Sequence, residues 1–123
     1  MSRAKEAMSD LGRHLELGEL VFKPPEALTL NVLNVGRLSF EEVFADSLLV
    51  SLSWPLPPYD RETLPAALKI CALESRHMRQ LKASLHKDDV VLSVQLSDSE
   101  IAAPELQRTM IWLLFLRDKI LGR

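Results

Sequence analysis

The sequence predicts an α+β fold with the element order α-β-β-β-α-β-β-α, a five-stranded antiparallel sheet with its helices packed on one face. Three observations lead to this prediction. Apolar residues recur at helical spacing near both ends of the chain and once in its middle, as they do in amphipathic helices. Between these segments lie five short stretches in which apolar and polar residues alternate, which is typical of half-buried strands. The links between most consecutive strands are short, which favours antiparallel hairpins.

The N-terminal segment is predicted to be helical as far as Gly18, since glycine commonly ends helices. Its apolar stripe consists of Ala4, Met8, Leu11 and Leu15. Charged residues, among them Arg3, Lys5 and Arg13, fall on the other side, so the helix should bury one face. The Pro24–Pro25 pair then forces an extended connection to the first strand.

Three strands are predicted to follow as a meander. The residues that share an apolar face are Leu28, Leu30 and Val32 in the first strand, Leu38, Phe40, Glu42 and Phe44 in the second, and Leu48, Val50, Leu52 and Trp54 in the third. Turn-forming residues separate the strands at Asn34–Gly36 and Ala45–Ser47. Three prolines between Trp54 and Asp60 exclude helix and central strand there, and we interpret this stretch as a link inside one domain.

The next predicted elements are a helix and a hairpin. Asp60 or Thr63 caps the helix, and its apolar stripe consists of Leu64, Leu68, Cys71 and Ala72. Two strands follow at residues 81–85 and 90–96, joined by a turn at Lys87–Asp89.

The last predicted helix, from about Pro104 to Leu121, has an apolar arc wider than one stripe. Its inward residues should be Leu106, Met110, Leu113, Leu114 and Ile120. The residues that widen the arc are Ile111, Trp112, Phe115 and Leu116. Such a helix is either deeply buried or covered by a partner.

The composition is that of a globular chain and excludes several classes of protein. The 123 residues are 47% hydrophobic and 26% charged, which fits a single domain over residues 1–123. Fifteen basic against 17 acidic residues give a net charge of −2, so neither nucleic-acid binding nor membrane binding is favoured. A single cysteine, Cys71, cannot form an internal disulfide, which suits a reducing compartment. With no signal peptide and no apolar stretch of membrane-spanning length, we expect a soluble, cytoplasmic protein.

The sequence contains no recognisable catalytic or metal-binding motif, so we expect no enzymatic activity, no cofactor and no metal. His14, His77 and His86 are scattered without ligand spacing. Cys71 lies on a predicted apolar stripe and is more simply a buried small residue than a nucleophile. The adjacent acids Glu41 and Glu42 would point to opposite faces of a strand. Phosphate-binding glycine loops are missing as well.

Several apolar residues have no place in the predicted core. Leu17, Leu20, Val21 and Phe22 extend past the stripe of the first helix, and Leu33, Val35, Leu49 and Val91 fall on the polar faces of strands. Singly, each is explained by loop packing or by covering of an edge. Together with the wide final helix they indicate exposed apolar patches, which mark interaction surfaces. A small sheet with free edges can also accept a strand from a partner.

The element order, the chain length and several local strings resemble the class I type III secretion chaperones, the family that includes the Tir chaperone CesT. The strings are LGRHLEL at 11–17, LTLNVLNVGRLSFEEV at 28–43 and DSLLVSLSW at 46–54. The C-terminal half, from Leu64 through DDVVLSVQLSDSEIAAPELQRTMIWLLFLRDKIL, is most similar to the SycN type, a gatekeeper chaperone subunit. The resemblance covers nearly the whole chain and consists of hydrophobic patterns.

This resemblance implies a small, dimeric, cytoplasmic chaperone without ATPase activity. Family members bind a segment near the N-terminus of one secreted effector or gatekeeper protein, keep it extended and present it to the export apparatus. SycN-type members pair with a second chaperone chain, so homodimer and heterodimer both stay open. Many members are distinctly acidic, whereas this chain has a net charge of only −2, which argues against strong long-range charge attraction.

By analogy with the family, substrate contact is placed on Leu17, Leu20, Val21, Phe22, Leu33 and Val35. Dimer contact is placed on the second helix and the flanking strands, at Trp54, Leu64, Leu68, Cys71, Leu85 and Val91. Two other classes of function stay open. One is an α+β scaffold or adaptor that binds a folded partner, and the other is a small enzyme whose polar pocket carries no recognisable motif.

Overall fold

The computed structural model describes residues 3–18, 20–23, 26–43, 47–74 and 81–122, and these residues form three α-helices and five strands. The helices are α1 (Arg3–His14), α2 (Thr63–Glu74) and α3 (Ala103–Ile120). The strands are β1 (Leu28–Val32), β2 (Gly36–Val43), β3 (Ser47–Pro55), β4 (Leu81–His86) and β5 (Asp89–Ser97). A short 3-10 helix, Asp98–Glu100, leads from β5 to α3. The predicted fold class and element order are confirmed. Phe44, His77 and the predicted turn at Ala45–Asp46 lie outside the described residues.

The five strands form one antiparallel sheet in the order β1-β2-β3-β5-β4. Strands β1, β2 and β3 form the predicted meander. The chain then crosses over through α2, and the final hairpin joins the sheet with β5, not β4, beside β3. As a result β1 and β4 are the two edge strands, and each has one side without a strand neighbour within the described sheet.

One face of the sheet carries the core. Paired residues of β2, β3 and β5, such as Leu38, Leu52 and Leu92, lie side by side on this face and are almost fully buried. The helices cover it with Met8 and Leu11 of α1, Ala67 and Cys71 of α2, and Leu106, Leu113 and Leu116 of α3. The period-two alternation of the strands therefore selects which side the helices occupy.

The opposite face of the sheet is polar and partly exposed. Ser39, Ser51 and Ser93 form a row across β2, β3 and β5, and each of them is half-buried. Leu49 and Val91 lie on this same face and are likewise half-buried, as their position among polar residues predicts. The open face is therefore a mixed surface with two apolar side chains.

Two turns differ from the sequence prediction. Helix α1 ends at His14, before Gly18, because Glu16 takes a left-handed conformation with φ of 58° while the Leu17 amide bonds back to the Gly12 carbonyl. Strand β1 ends at Val32, and the turn to β2 has Asn34 at φ of 61°. Leu33 and Val35 are thus turn residues, so their placement on the polar face of a strand is wrong.

The buried face of α2 also differs from the predicted stripe. It consists of Thr63, Ala67 and Cys71, spaced at i, i+4 and i+8. Leu68 points outward with 52% of its surface exposed, and Ala72 is exposed as well. The helix is apolar nearly all round, so its sequence contained no clear periodicity to orient it. Small side chains occupy the inward positions, and larger ones are left outside.

Asp60 caps α2, as predicted. Its Oδ1 accepts hydrogen bonds from the Glu62 and Thr63 amides, both at 2.9 Å, and its Oδ2 accepts one from Thr63 Oγ1 at 2.6 Å. These bonds favour the carboxylate, and the Thr63 hydroxyl contributes most, so they lower the pKa of Asp60 from its ordinary value of 3.8. The cap holds the end of the proline-rich link against the start of α2.

This cap predicts an acid-dependent loss of stability. The folded pKa of Asp60 lies below the unfolded one, so its contribution is complete above the unfolded pKa and is lost as the pH falls through the lowered value. We expect the urea midpoint to fall below about pH 4. The Asp60→Asn variant should show a shallower fall, because the asparagine Oδ1 can still accept the two amide hydrogen bonds and does not titrate. Equal slopes for the two proteins between pH 5 and pH 2 would show that this cap does not contribute to the acid response.

Candidate substrate and partner surfaces

Nine large apolar side chains are exposed among the described residues: Leu17, Val21, Leu33, Tyr59, Leu68, Leu73, Leu85, Ile111 and Phe115. Exposed leucines are common on single proteins, so their grouping matters more than their number. By position they form three groups. Leu17 and Val21 lie in the segment after α1, which we number 15–23. Leu68, Leu73 and Leu85 lie on α2 and β4, and Ile111 and Phe115 lie on the outer side of α3. Leu33 and Tyr59 stand in separate loops.

The segment after α1 is held against that helix at two points. A Cβ atom at Gly12 would lie 2.3 Å from the Gly18 carbonyl oxygen and 2.9 Å from Leu20 Cγ, so only glycine permits this close approach. Phe22 then enters the core and retains only 4% exposure. Between these anchors Val21 stays exposed, and Leu20 is half-buried.

A groove of about 650 Å³ runs between α1 and this segment; we call it the N-terminal groove. Its lining residues are Lys5, Glu6, Ser9, Asp10, Arg13, Leu20, Val21, Phe22 and Lys23. The segment side has three apolar residues and Lys23, and the helix side has Ser9 and charged residues of both signs. Such a lining suits an amphipathic chain that places apolar side chains against the segment.

The structure separates the residues predicted to contact substrate into two places. Leu17 is exposed beside the segment, and Leu20, Val21 and Phe22 line the N-terminal groove. Leu33 and Val35 instead line a different pocket, beside Trp54. The expectation that Phe22 has no place inside is wrong, since it belongs to the core. Leu20 and Val35 are half-buried against the core.

The second surface, which we call the α2–β4 surface, consists of Leu68 on α2 and Leu85 on β4. Leu73 is also exposed, but it is five residues from Leu68 and so lies on another flank of α2. Leu85 pairs with buried Val90, so it faces the helix side of the sheet, yet it lies on the edge strand and stays exposed. Leu64, one turn before Leu68, is half-buried. Of the residues predicted at a dimer contact, Leu64, Leu68 and Leu85 therefore offer accessible apolar area.

The remaining predicted contact residues lie elsewhere. Trp54 and Cys71 belong to the core of the protomer, and Val91 lies on the open face of the sheet. Burial raises the pKa of the Cys71 thiol, which disfavours the reactive thiolate and agrees with a packing role. Leu73 was missed by the sequence prediction. Its signal was present, since it is a large apolar residue outside the predicted stripe of α2.

The third group lies on α3, where Ile111 and Phe115 are one turn apart and exposed. The Lys119 ammonium lies 5.6 Å from the centroid of the Phe115 ring, a cation–π distance. Leu116 points into the core, and Trp112 is half-buried. The wide apolar arc of the sequence thus divides into a buried side and an uncovered side.

The described ranges lack both a membrane-spanning helix and a metal-binding cluster. Within them no helix is long and apolar enough to cross a membrane. In the same ranges, histidine, cysteine and acidic side chains nowhere gather in threes at distances that would hold a metal ion.

Comparison with known proteins finds similarity in structure and not in sequence. No family model matches the chain, and no curated protein matches it. The fold matches a chain of the HopA1–SchA chaperone–effector complex with a TM-score of 0.70, 19% identity and 94% coverage of both chains. It also matches a chain of the complex between the Yersinia pestis type III secretion chaperone SycH and a stable fragment of YscM2, with a TM-score of 0.68 and 11% identity, covering 97% of this chain and 98% of the other.

The chain has the fold of class I type III secretion chaperones. The predicted resemblance is thereby confirmed at the level of fold, while the similarity to the SycN type stays a prediction. The same fold occurs in YbjN from E. coli, a proposed transcription regulator, with a TM-score of 0.64, 15% identity and coverage of 95% and 90% of the two chains.

Proposed function

We propose that this chain is an ATP-independent type III secretion chaperone forming a single domain over residues 1–123. It binds the N-terminal region of a secreted effector or gatekeeper protein in the cytoplasm, keeps it extended and aids its targeting to the export apparatus. The observation that carries the proposal is that a fold found in chaperone–effector complexes here leaves separate apolar surfaces uncovered.

The surfaces suit an unfolded partner. An extended segment loses conformational entropy when it binds, so it needs wide apolar contact to compensate. Here the N-terminal groove offers apolar side chains along one side, and the edge strand β1 can accept main-chain hydrogen bonds from an added strand. Binding of this kind requires no nucleotide and no catalytic group.

We further propose that the protein works as a dimer through the α2–β4 surface. This surface combines exposed leucines with an open strand edge, and a second chain that covers both would remove apolar area from water. Either a second copy or a related chaperone subunit can supply the partner surface. The substrate groove lies on α1, so the two contacts use different elements.

The proposal is tested by co-expression with the neighbouring open reading frames, followed by mass measurement of the intact complex and limited proteolysis. A chaperone should protect an extended, otherwise cleaved segment of its partner. The wild type is expected to retain such a partner. If the captured protein is folded and protease-resistant without this chain, the adaptor function is favoured instead.

Substrate contact is tested with a double variant, Leu17→Asp with Val21→Asp. Both side chains are exposed, so the circular dichroism spectrum should not change. Each charge would have to be desolvated beneath the bound segment, and we expect at least a 100-fold loss of affinity, or about 2.7 kcal/mol. Tyr59→Asp, at an 84% exposed position in another loop, is the matched control. Equal retention of substrate by both variants would contradict the placement.

A further inference from the structure

A second concavity, separate from the N-terminal groove, lies at the end of the sheet where β1 turns into β2. This pocket of about 810 Å³ is bordered by the turn between β1 and β2, the end of β3, the start of α2 and the end of α3. Its apolar lining includes Val32, Leu33, Val35, Trp54 and Leu121. Leu33, on the turn, is 87% exposed, so its side chain makes few contacts and can move without loss of core packing.

Two buried donors in the lining of this pocket have no acceptor among the residues that the structure describes. Arg117 is 6% exposed and Trp54 is 4% exposed, and the guanidinium carbon lies 5.8 Å from the centroid of the indole ring. Arg117 Nη1 donates to Asp118 Oδ1 at 3.2 Å. Its Nε and the Nε1 of Trp54 have no hydrogen-bond partner among the described residues. Buried N–H groups are normally paired, and leaving them unpaired is unfavourable.

The acidic residues that line the pocket are already engaged. Asp60 accepts the hydrogen bonds that cap α2, and Asp89 accepts one from Arg37 Nη2 at 2.6 Å. Among the described residues no acceptor reaches the two N–H groups, and an entering molecule can supply one. A carboxylate is the acceptor that binds a guanidinium most strongly, and the apolar lining favours apolar neighbours on either side of it.

We propose that this pocket binds a carboxylate flanked by apolar side chains, carried by a partner polypeptide, which accepts hydrogen bonds from Arg117 Nε and Trp54 Nε1. Both nitrogens are screened from water, so side chains that line the pocket have to shift before the group reaches them. The identification of the partner as a secreted polypeptide rests on the proposed function. The pocket thereby adds a preference for an acidic residue to contacts that are otherwise apolar.

The pocket is tested on the protein alone, with two blocked peptides: acetyl-leucyl-glutamyl-leucine amide and its glutaminyl counterpart. In a ¹⁵N-edited NMR titration, the glutamyl peptide should move the indole N–H signal of Trp54 and leave that of Trp112 in place. Since a charged acceptor binds a guanidinium more strongly than a neutral one, we expect the glutaminyl peptide to bind about tenfold more weakly. The Trp54→Phe variant keeps an aromatic ring at this position but removes the indole N–H. The signal that disappears in its spectrum is therefore that of Trp54. This variant should bind the glutamyl peptide several-fold more weakly.

Three results would overturn the assignment. These are equal affinity for the two peptides, no movement of the Trp54 signal with either peptide, or movement of that signal only when acetate is added at molar concentration. Each would mean that the pocket does not select a carboxylate. This outcome is separable from failure of the proposed function. If the protein captures no secreted partner but prefers the glutamyl peptide tenfold, the proposed carboxylate site stands and the proposed function fails. If it captures a secreted partner but shows no such preference, only the proposed carboxylate site fails.

Discussion

Replacement of Gly36 with alanine is expected to lower the free energy of unfolding by about 2–3 kcal/mol, as overpacking against fixed neighbours does. A Cβ atom at this position would lie 2.0 Å from the carbonyl oxygen of Ser53 and 3.3 Å from Trp54 Cβ. The oxygen belongs to the backbone of β3, which is paired on both sides. It cannot rotate away, so either β2 detaches at its first residue or the sheet shifts.

The measurement is urea denaturation followed by circular dichroism, with Gly122→Ala as the matched control. At Gly122, near the C-terminus, the added Cβ meets no atom within 4 Å, and the alanine has only to adopt a φ of 74°. This strain costs about 1 kcal/mol. If Gly36→Ala is no more destabilising than the control, the close approach of the two strands in this turn region is wrong.

Replacement of Leu68 with arginine is expected to abolish dimerisation without loss of the protomer fold. Leu68 is 52% exposed in the protomer, so an arginine there remains solvated until a partner covers it. In a dimer through the α2–β4 surface the charge would be buried against apolar side chains, without a paired acid. We expect a rise of at least 100-fold in the dissociation constant, measured by light scattering after size exclusion.

The control for this variant is Ile111→Arg. Ile111 is an aliphatic residue of similar exposure, 59%, on α3, and the variant should keep the dimer. The opposite pattern, in which Ile111→Arg dissociates the protein and Leu68→Arg does not, would place the interface on α3. If the chain alone is a monomer, the same pair of variants is tested in the complex with a co-expressed chaperone subunit. Retention of that subunit by Leu68→Arg would contradict the proposed interface.

Much of the fold could be predicted because its signals are local. The alternation over Leu28–Val32 predicted strand β1, since it requires only neighbouring residues, although Leu33 and Val35 beyond the observed end were also assigned to its polar face. Helix α3 was predicted within one residue, since Pro104 fits the first turn of a helix. The end of α1 was not, because the left-handed turn at Glu16 depends on how the following segment packs against Gly12.

The surfaces could be predicted only in part. The sequence identified Leu17 and Val21 as surplus to the core, and both are exposed. It counted Phe22 with them, although packing draws that ring inside. It placed Leu68 on the apolar stripe of α2, but the structure turns Leu68 outward because Ala67 and Cys71 occupy the inward positions. On a helix that is apolar nearly all round, only tertiary contact decides which side is buried.

By itself, the sequence determined the class of the fold, the kind and order of its elements, and the surplus of apolar side chains, because periodicity and turn residues act over a few positions. The tertiary structure decided the position of β5 beside β3, the exposed edge that carries Leu85, and the meeting of Trp54 with Arg117. These features join residues far apart in the chain, and their geometry depends on how the helices pack on the sheet, which no local pattern encodes.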